Sequence, residues 1–252
     1  MTNRSCPYSK SILERAFEGG YNFISALLGQ ECCTTMNRME QYFDYCELIP
    51  NEKFFVSCLD MPINRSEWHE GYYERQIRSD EKLMAAIERH NEVCRIITEM
   101  GELRKAENPV LTGYEFHVIQ LCTLTCPKDL LRPMLRETLE ELKHREPEPK
   151  PAYRARVMVV GSEIDDPEFT KMLEMCGAYV CADRYCFGSM PGREGIAVGE
   201  GESPLHAIAR YYLWNNHCPR AMGPQALKER KRYVYDKARE YGAEGVIVES
   251  MK

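Results

Sequence analysis

RVMVVGSEIDDPEFTKMLEMCGAYVCA, residues 156–182, is the stretch from which the fold is read. Arg156–Gly161 is a compact apolar run closed by glycine, as a buried strand is, and Tyr179–Ala182 is a second such run. Between them Pro167–Cys176 has helical spacing. Asp165 or Asp166 stands where a helix N-cap belongs. Two buried strands joined by a helix need a crossover, which makes the pair parallel and the architecture α/β.

The same alternation extends outward from this stretch. Upstream, Asn22–Leu28 reads as a buried strand, Gly29–Cys33 as a loop, Thr34–Leu48 as a helix and Lys53–Asp60 as the next strand, closed by Met61-Pro62. Downstream, Pro204–Trp214 and Gln225–Tyr241 read as helices and Gly245–Val248 as a last strand. From Ser66 to Lys105, apolar residues at Leu83, Ile87, Val93, Ile96 and Ile97 predict one or two long helices, and Gly113–Leu121 and Pro127–Leu142 continue that character. The run 145–151 (REPEPKP) alternates charge with proline and suits neither helix nor sheet, so it is the expected linker.

The organisation expected is therefore an N-terminal α/β lobe over 1–65, a helical segment over 66–144, a linker over 145–153 and a second α/β lobe over 154–252. Ligands in open α/β sheets sit past strand C-termini, so a chain that stops on a strand leads us to expect a second lobe incomplete at its C-terminus.

Composition narrows the function. Thirty-three Lys and Arg stand against 39 Asp and Glu in 252 residues, a net charge of -6. That balance supplies no basic field for nucleic acid. No apolar run approaches the roughly 18 residues of a membrane span, and Met1–Ser5 leads into a polar segment without an export signal. The expected location is cytoplasmic, with neither nucleic acid nor membrane as partner. In that compartment the 12 cysteines are thiols or metal ligands rather than disulfides. The 13 methionines suit a reducing, anaerobic cell.

No Cys-x-x-Cys occurs, so any thiolate site is assembled from separate loops. Cys33 lies between a strand and a helix N-terminus, where backbone donors and the helix dipole favour thiolate, and Cys6 has the same setting before its own helical stretch. Cys32 competes with its neighbour, and Cys186 follows a strand end. Cys46, Cys58, Cys94, Cys122, Cys176 and Cys181 sit in apolar or periodic stretches and read as small buried hydrophobes. His206, His217 and the other histidines are scattered singly and read as surface or capping residues. The KERKR run, Lys228–Arg232, reads as a solvated helix face, though a CoA phosphate could use it.

Several segments in order complete the picture: Cys6-Pro7-Tyr8-Ser9-Lys10, Cys33-Thr34-Thr35-Met36-Asn37-Arg38-Met39, Cys58-Leu59-Asp60-Met61-Pro62, Asn91, Leu111-Thr112-Gly113-Tyr114-Glu115 and Arg156–Gly161. Cys176-Gly177-Ala178, Asp183-Arg184-Tyr185-Cys186-Phe187-Gly188 and Tyr241–Ile247 follow. Together they resemble the cluster-bearing subunits of the 2-hydroxyacyl-CoA dehydratases and the related benzoyl-CoA reductases, 2-hydroxyglutaryl-CoA dehydratase D-component-like proteins. The resemblance implies two flavodoxin-like parallel-sheet lobes joined by a helical middle, with a [4Fe-4S] cluster held by three cysteines. Two of these match Cys6 and Cys33, and the third is expected beyond Lys252.

Three thiolates on a four-iron cluster leave one iron open, as at a catalytic zinc. The implied reaction is the one-electron reduction of an acyl-CoA thioester to a ketyl radical that eliminates water. The electron comes from an ATP-dependent iron–sulfur activator protein, and pairing with a homologous subunit gives a heterodimer or homodimer. Alternatives are a benzoyl-CoA reductase-type protein, a double-cubane-cluster reductase, and a non-catalytic partner or fragment without a cluster. A plain α/β protein that binds a CoA-like ligand is a further one.

Overall fold

The computed structural model describes residues 6–30, 34–60, 66–74, 83–147, 153–161, 163–189, 193–215, 218 and 223–250. In chain order the described elements are α1 (Pro7–Phe17), β1 (Ala26–Gln30), α2 (Thr34–Tyr45), β2 (Phe55–Leu59), α3 (Glu67–Glu74), α4 (Leu83–Glu102), a 3-10 turn at Leu103–Lys105, α5 (Gly113–Thr125) and α6 (Lys128–His144). They continue with β3 (Ala155–Val160), α7 (Pro167–Met175), β4 (Ala178–Arg184), α8 (Pro204–Trp214), α9 (Pro224–Glu240) and β5 (Gly245–Val248). The chain divides into two compact units, residues 1–78 with 251–252 and residues 79–250. Among the described residues no helix is long and apolar enough to cross a membrane.

In the first unit β1 and β2 pair in parallel, Ala26 opposite Phe55 and Gln30 opposite Leu59. Leu13, Ala16, Met39, Phe43 and Ile49 form its core. The rings of Tyr21 and Phe54 flank Phe43 at 6.2 and 6.5 Å. The first strand starts at Ala26 rather than Asn22, because the chain is still turning through Tyr21–Phe23 after Gly19, whose φ of 77° suits glycine. Neither strand is buried on both faces: Leu28 and Phe55 are exposed.

The second unit holds a parallel sheet in the order β4-β3-β5. Val157–Val160 pair with Gly245–Val248 on one side. On the other, β3 runs beside β4 with a register shift between Val157 and Met158. Asp166 caps α7, its side chain accepting from the Glu168 N–H at 2.9 Å. Of the helical middle, α4, α5 and α6 belong to this unit and α3 to the first. A stripe of Leu131, Leu135, Leu139 and Leu142 on α6 packs with Val93, Ile97 and Met100 of α4 and Phe116 of α5, the spacing of one helix face.

Helix α5 is tied to the sheet layer through its N-terminus. Thr112 and Glu115 form a capping box. Glu174 of α7 accepts from the Gly113 and Tyr114 N–H groups at 2.8 and 3.2 Å. Gly113 is required there, since a Cβ would lie 2.6 Å from Val180 Cβ and 2.8 Å from its carbonyl oxygen.

The cysteines depart from the sequence expectation. Of the six read as buried hydrophobes, Cys94 and Cys181 are buried, Cys122 is half-buried, and Cys46, Cys58 and Cys176 are exposed. Cys46 and Cys176 fall just past the last residues of α2 and α7, where periodicity no longer assigns a side, and Cys58 lies on the partly covered β2. The histidines depart too: His117 is wholly buried, bonded through Nδ1 to Thr170 Oγ1 at 2.9 Å.

Candidate functional site

Each unit carries candidate chemical groups of its own. In the first, Cys6 is the N-cap residue of α1, extended at φ -51° and ψ 128°, and Pro7 opens the helix. Its thiol is half-buried and free, and its carbonyl accepts from Ser9 Oγ at 2.9 Å. The unpaired N–H groups of a first helical turn favour negative charge on such a residue. Cys32 and Cys33 lie outside the described residues, immediately before Thr34, the first residue of α2.

Asp60 and Glu40 are two carboxylates of this unit with defined surroundings. Asp60, the residue after β2, accepts from Tyr72 Oη at 2.6 Å, and the Tyr72 ring stacks on Trp68 at 5.7 Å. Glu40 of α2 is buried, and its carboxylate lies over Gly29 so closely that a Cβ there would sit 2.1 Å away. The glycine is what admits this carboxylate to the β1 backbone.

In the second unit the chemistry gathers past β4. Asp183 and Arg104 form a buried ion pair, Arg104 Nη2 donating to Asp183 Oδ1 at 3.0 Å. Gln120 Nε2 and the Ser189 N–H donate to Asp183 Oδ2 at 3.1 and 2.7 Å. Burial pushes the Asp183 carboxyl up, but Arg104, Arg193 and the donors outweigh it and hold it below the usual range. Arg104 is likewise opposed by burial and raised by Asp183.

A cavity of about 340 Å³ opens beside this pair, among α4, α5, α9 and the end of β4. Arg184 and Arg193 line it, both lowered by burial. Cys186 is half-buried two residues past β4. Burial lowers Arg230 of α9, Arg184 lowers it further, and Cys218 and Cys186 act on it in the opposite direction. So one residue of the KERKR run turns inward while Arg232 stays exposed.

The structure thus places Cys6 in the first unit and Cys186 in the second. Among the described residues no group of three or more His, Cys, Asp and Glu side chains is arranged to hold a metal ion. Arg104, Arg184 and Arg193 were not singled out as site residues from sequence. The available signal was positional: Asp183 and Arg184 are the first charges after an apolar parallel strand, where α/β sheets bind ligands.

The chain is similar to two relatives over nearly its whole length. It is 23% identical over 257 residues to the (R)-phenyllactyl-CoA dehydratase beta subunit of Clostridium sporogenes, covering 96% of this chain and 66% of the relative. It is 20% identical over 259 residues to a benzoyl-CoA reductase subunit of Thauera aromatica, covering 96% and 65%. The chain therefore spans just under two-thirds of the length of either. The family described as 2-hydroxyglutaryl-CoA dehydratase, D-component, matches residues 1–252. With parallel α/β sheets in both units and the family match running through all of them, the chain belongs to the 2-hydroxyglutaryl-CoA dehydratase D-component family.

Proposed function

We propose that the chain is the iron–sulfur subunit of a 2-hydroxyacyl-CoA dehydratase-type enzyme. In this reading an acyl-CoA thioester accepts one electron to become a ketyl radical that eliminates water. The family match over residues 1–252 carries the proposal, and the similarity to a phenyllactyl-CoA dehydratase favours elimination. The second reading, reduction of an aryl-CoA, is favoured by the similarity to a benzoyl-CoA reductase. The proposed partners are an ATP-dependent iron–sulfur activator protein and a homologous subunit, and the proposed location is the cytoplasm.

Cys6 and Cys33 are the proposed ligands of a [4Fe-4S] cluster, with Cys32 and Cys186 as alternates. Cys6 fits the role, being a free thiol that makes no cap hydrogen bond at a helix N-terminus. When bound by three thiolates, such a cluster supplies a one-electron relay with one iron open to an oxygen ligand. The chain's own part is to hold that group, orient the thioester and exclude water.

Iron and acid-labile sulfide per chain, measured after anaerobic reconstitution of the protein and of its Cys6→Ala and Cys33→Ala variants, test the ligand assignment. Four irons in the parent, lost in either variant, are expected. Stoichiometric zinc without sulfide would sink the reading, and an iron-free folded protein would favour a non-catalytic partner. Product analysis with a 2-hydroxyacyl-CoA and benzoyl-CoA, activator present, separates elimination from ring reduction.

A further inference from the structure

The cavity past β4 has more buried positive charge than its own carboxylates neutralise. Four cationic side chains, Arg104, Arg184, Arg193 and Lys237, line it against three carboxylates, Glu102, Asp183 and Glu194. Arg104 is paired with Asp183, whose second oxygen is taken by Gln120 and the Ser189 N–H. Lys237 Nζ meets Glu240 Oε2 at 2.7 Å. Arg184 and Arg193 make no such contact, although Glu194 and Asp183 act on Arg184 and Asp183 acts on Arg193 through their charge. Each reaches a backbone carbonyl, Arg184 Nη1 to Ser189 at 2.7 Å and Arg193 Nη2 to Gly188 at 2.8 Å. Among the described residues neither lies within ion-pair distance of a carboxylate.

Donors are left over as well. Arg184 Nε and Nη2, Arg193 Nη1 and Arg104 Nε are buried with no hydrogen-bond acceptor among the described residues. Arg184 is 2% exposed. Its guanidinium lies over the Tyr233 ring at 4.1 Å, and that of Arg193 lies 5.7 Å from the Phe116 ring centroid. Tyr233 also supports Arg184 through its hydroxyl, but the ring faces themselves satisfy no N–H, and Nε and Nη2 of Arg184 stay without an acceptor. Natural proteins pair buried charges and bond buried donors, and burial lowers both arginines accordingly. An anion supplied from outside the chain removes both costs.

We propose that this cavity is an anion-binding site, in which Arg184 and Arg193 receive the phosphoryl or carboxylate group of an organic ligand. The planar guanidinium fork matches the paired oxygens of either group. A cavity of about 340 Å³ leaves room beyond a single oxyanion for the group that carries it. All of these residues belong to the second unit, so the site rests neither on Cys6 nor on the cluster reading.

Thermal melting of the full chain at constant pH and ionic strength, with chloride replaced stepwise by phosphate or by acetate, tests the proposal. The expected result is a saturable rise in Tm with one of the oxyanions, as for any ligand that binds only the folded state. Arg184→Gln and Arg193→Gln should each raise the half-saturating concentration at least about tenfold. Arg232→Gln, on the exposed face of α9, should leave it unchanged. A response to phosphate alone assigns a phosphoryl ligand, and a response to acetate a carboxylate. Melting indifferent to both anions, or an equal response in Arg193→Gln, overturns the site. Should Arg184→Gln not fold, Arg193→Lys keeps the charge and loses the fork, and 31P line broadening of phosphate must then be weaker than with the parent protein.

Discussion

Arg104 Nη2 stands 3.0 Å from Asp183 Oδ1, with the two side chains only 5% and 1% exposed. They are 79 residues apart, and their contact ties the turn after α4 to the end of β4. Removing one partner strands the other's charge in a buried site, a loss of about 3–5 kcal/mol for buried pairs. Urea unfolding of Asp183→Asn should therefore show a stability loss in that range. A loss below about 1 kcal/mol, typical of exposed pairs, would mean the pair is solvated in solution.

Acid stability should depend on Glu202. The Arg210 fork, bonded through Nε and Nη2 at 2.9 Å each, and the Gly199 N–H hold its carboxyl down to about 2, from an ordinary 4.5. A carboxylate depressed on folding contributes stability that is fully present above 4.5 and is lost as pH falls toward 2. Replacing it, as Glu202→Gln, should flatten the stability-versus-pH curve in that window. An unchanged slope would show that other groups carry the acid transition.

Gly113→Ala separates packing from helix propensity. Alanine is the better helix former by about 1 kcal/mol, yet the added Cβ would meet Val180 and the Glu174 carboxylate at under 3 Å. Overpacking of this kind costs about 1–3 kcal/mol, so net destabilisation is expected in denaturant melts. A stabilised variant would show that α5 can lift from β4 freely.

Thiol labelling should sort the cysteines by burial. Cys46, Cys126 and Cys176 are exposed, whereas Cys94 and Cys181 are buried and their thiols pushed up by that burial. Mass spectrometry after a short alkylation pulse should find the first three modified. Cys94 and Cys181 should react only once denaturant unfolds the chain, and rapid native labelling of Cys181 would contradict the packing of β4.

Much of the architecture was legible locally. The apolar runs at 156–161 and 179–182 and the helix between them became β3, α7 and β4, with Asp166 as cap. Parallel pairing followed because a helical crossover returns the next strand in the same direction, and β1 and β2 obeyed the same rule. Boundaries slipped where apolar residues continued past a turn, as at Phe23, which is exposed before β1 begins.

The amino-acid sequence by itself thus determined the order of elements, their parallel pairing and the family, since each rests on periodicity, capping or motifs within tens of residues. Only the tertiary structure decided which cysteines are buried and which charges share a cavity. Arg104, Asp183 and Arg193 come from separate segments and meet because α4, β4 and the residues after it close around one space. No local pattern encodes that convergence, because a charge is neutralised or left unpaired by neighbours that folding brings from far along the chain.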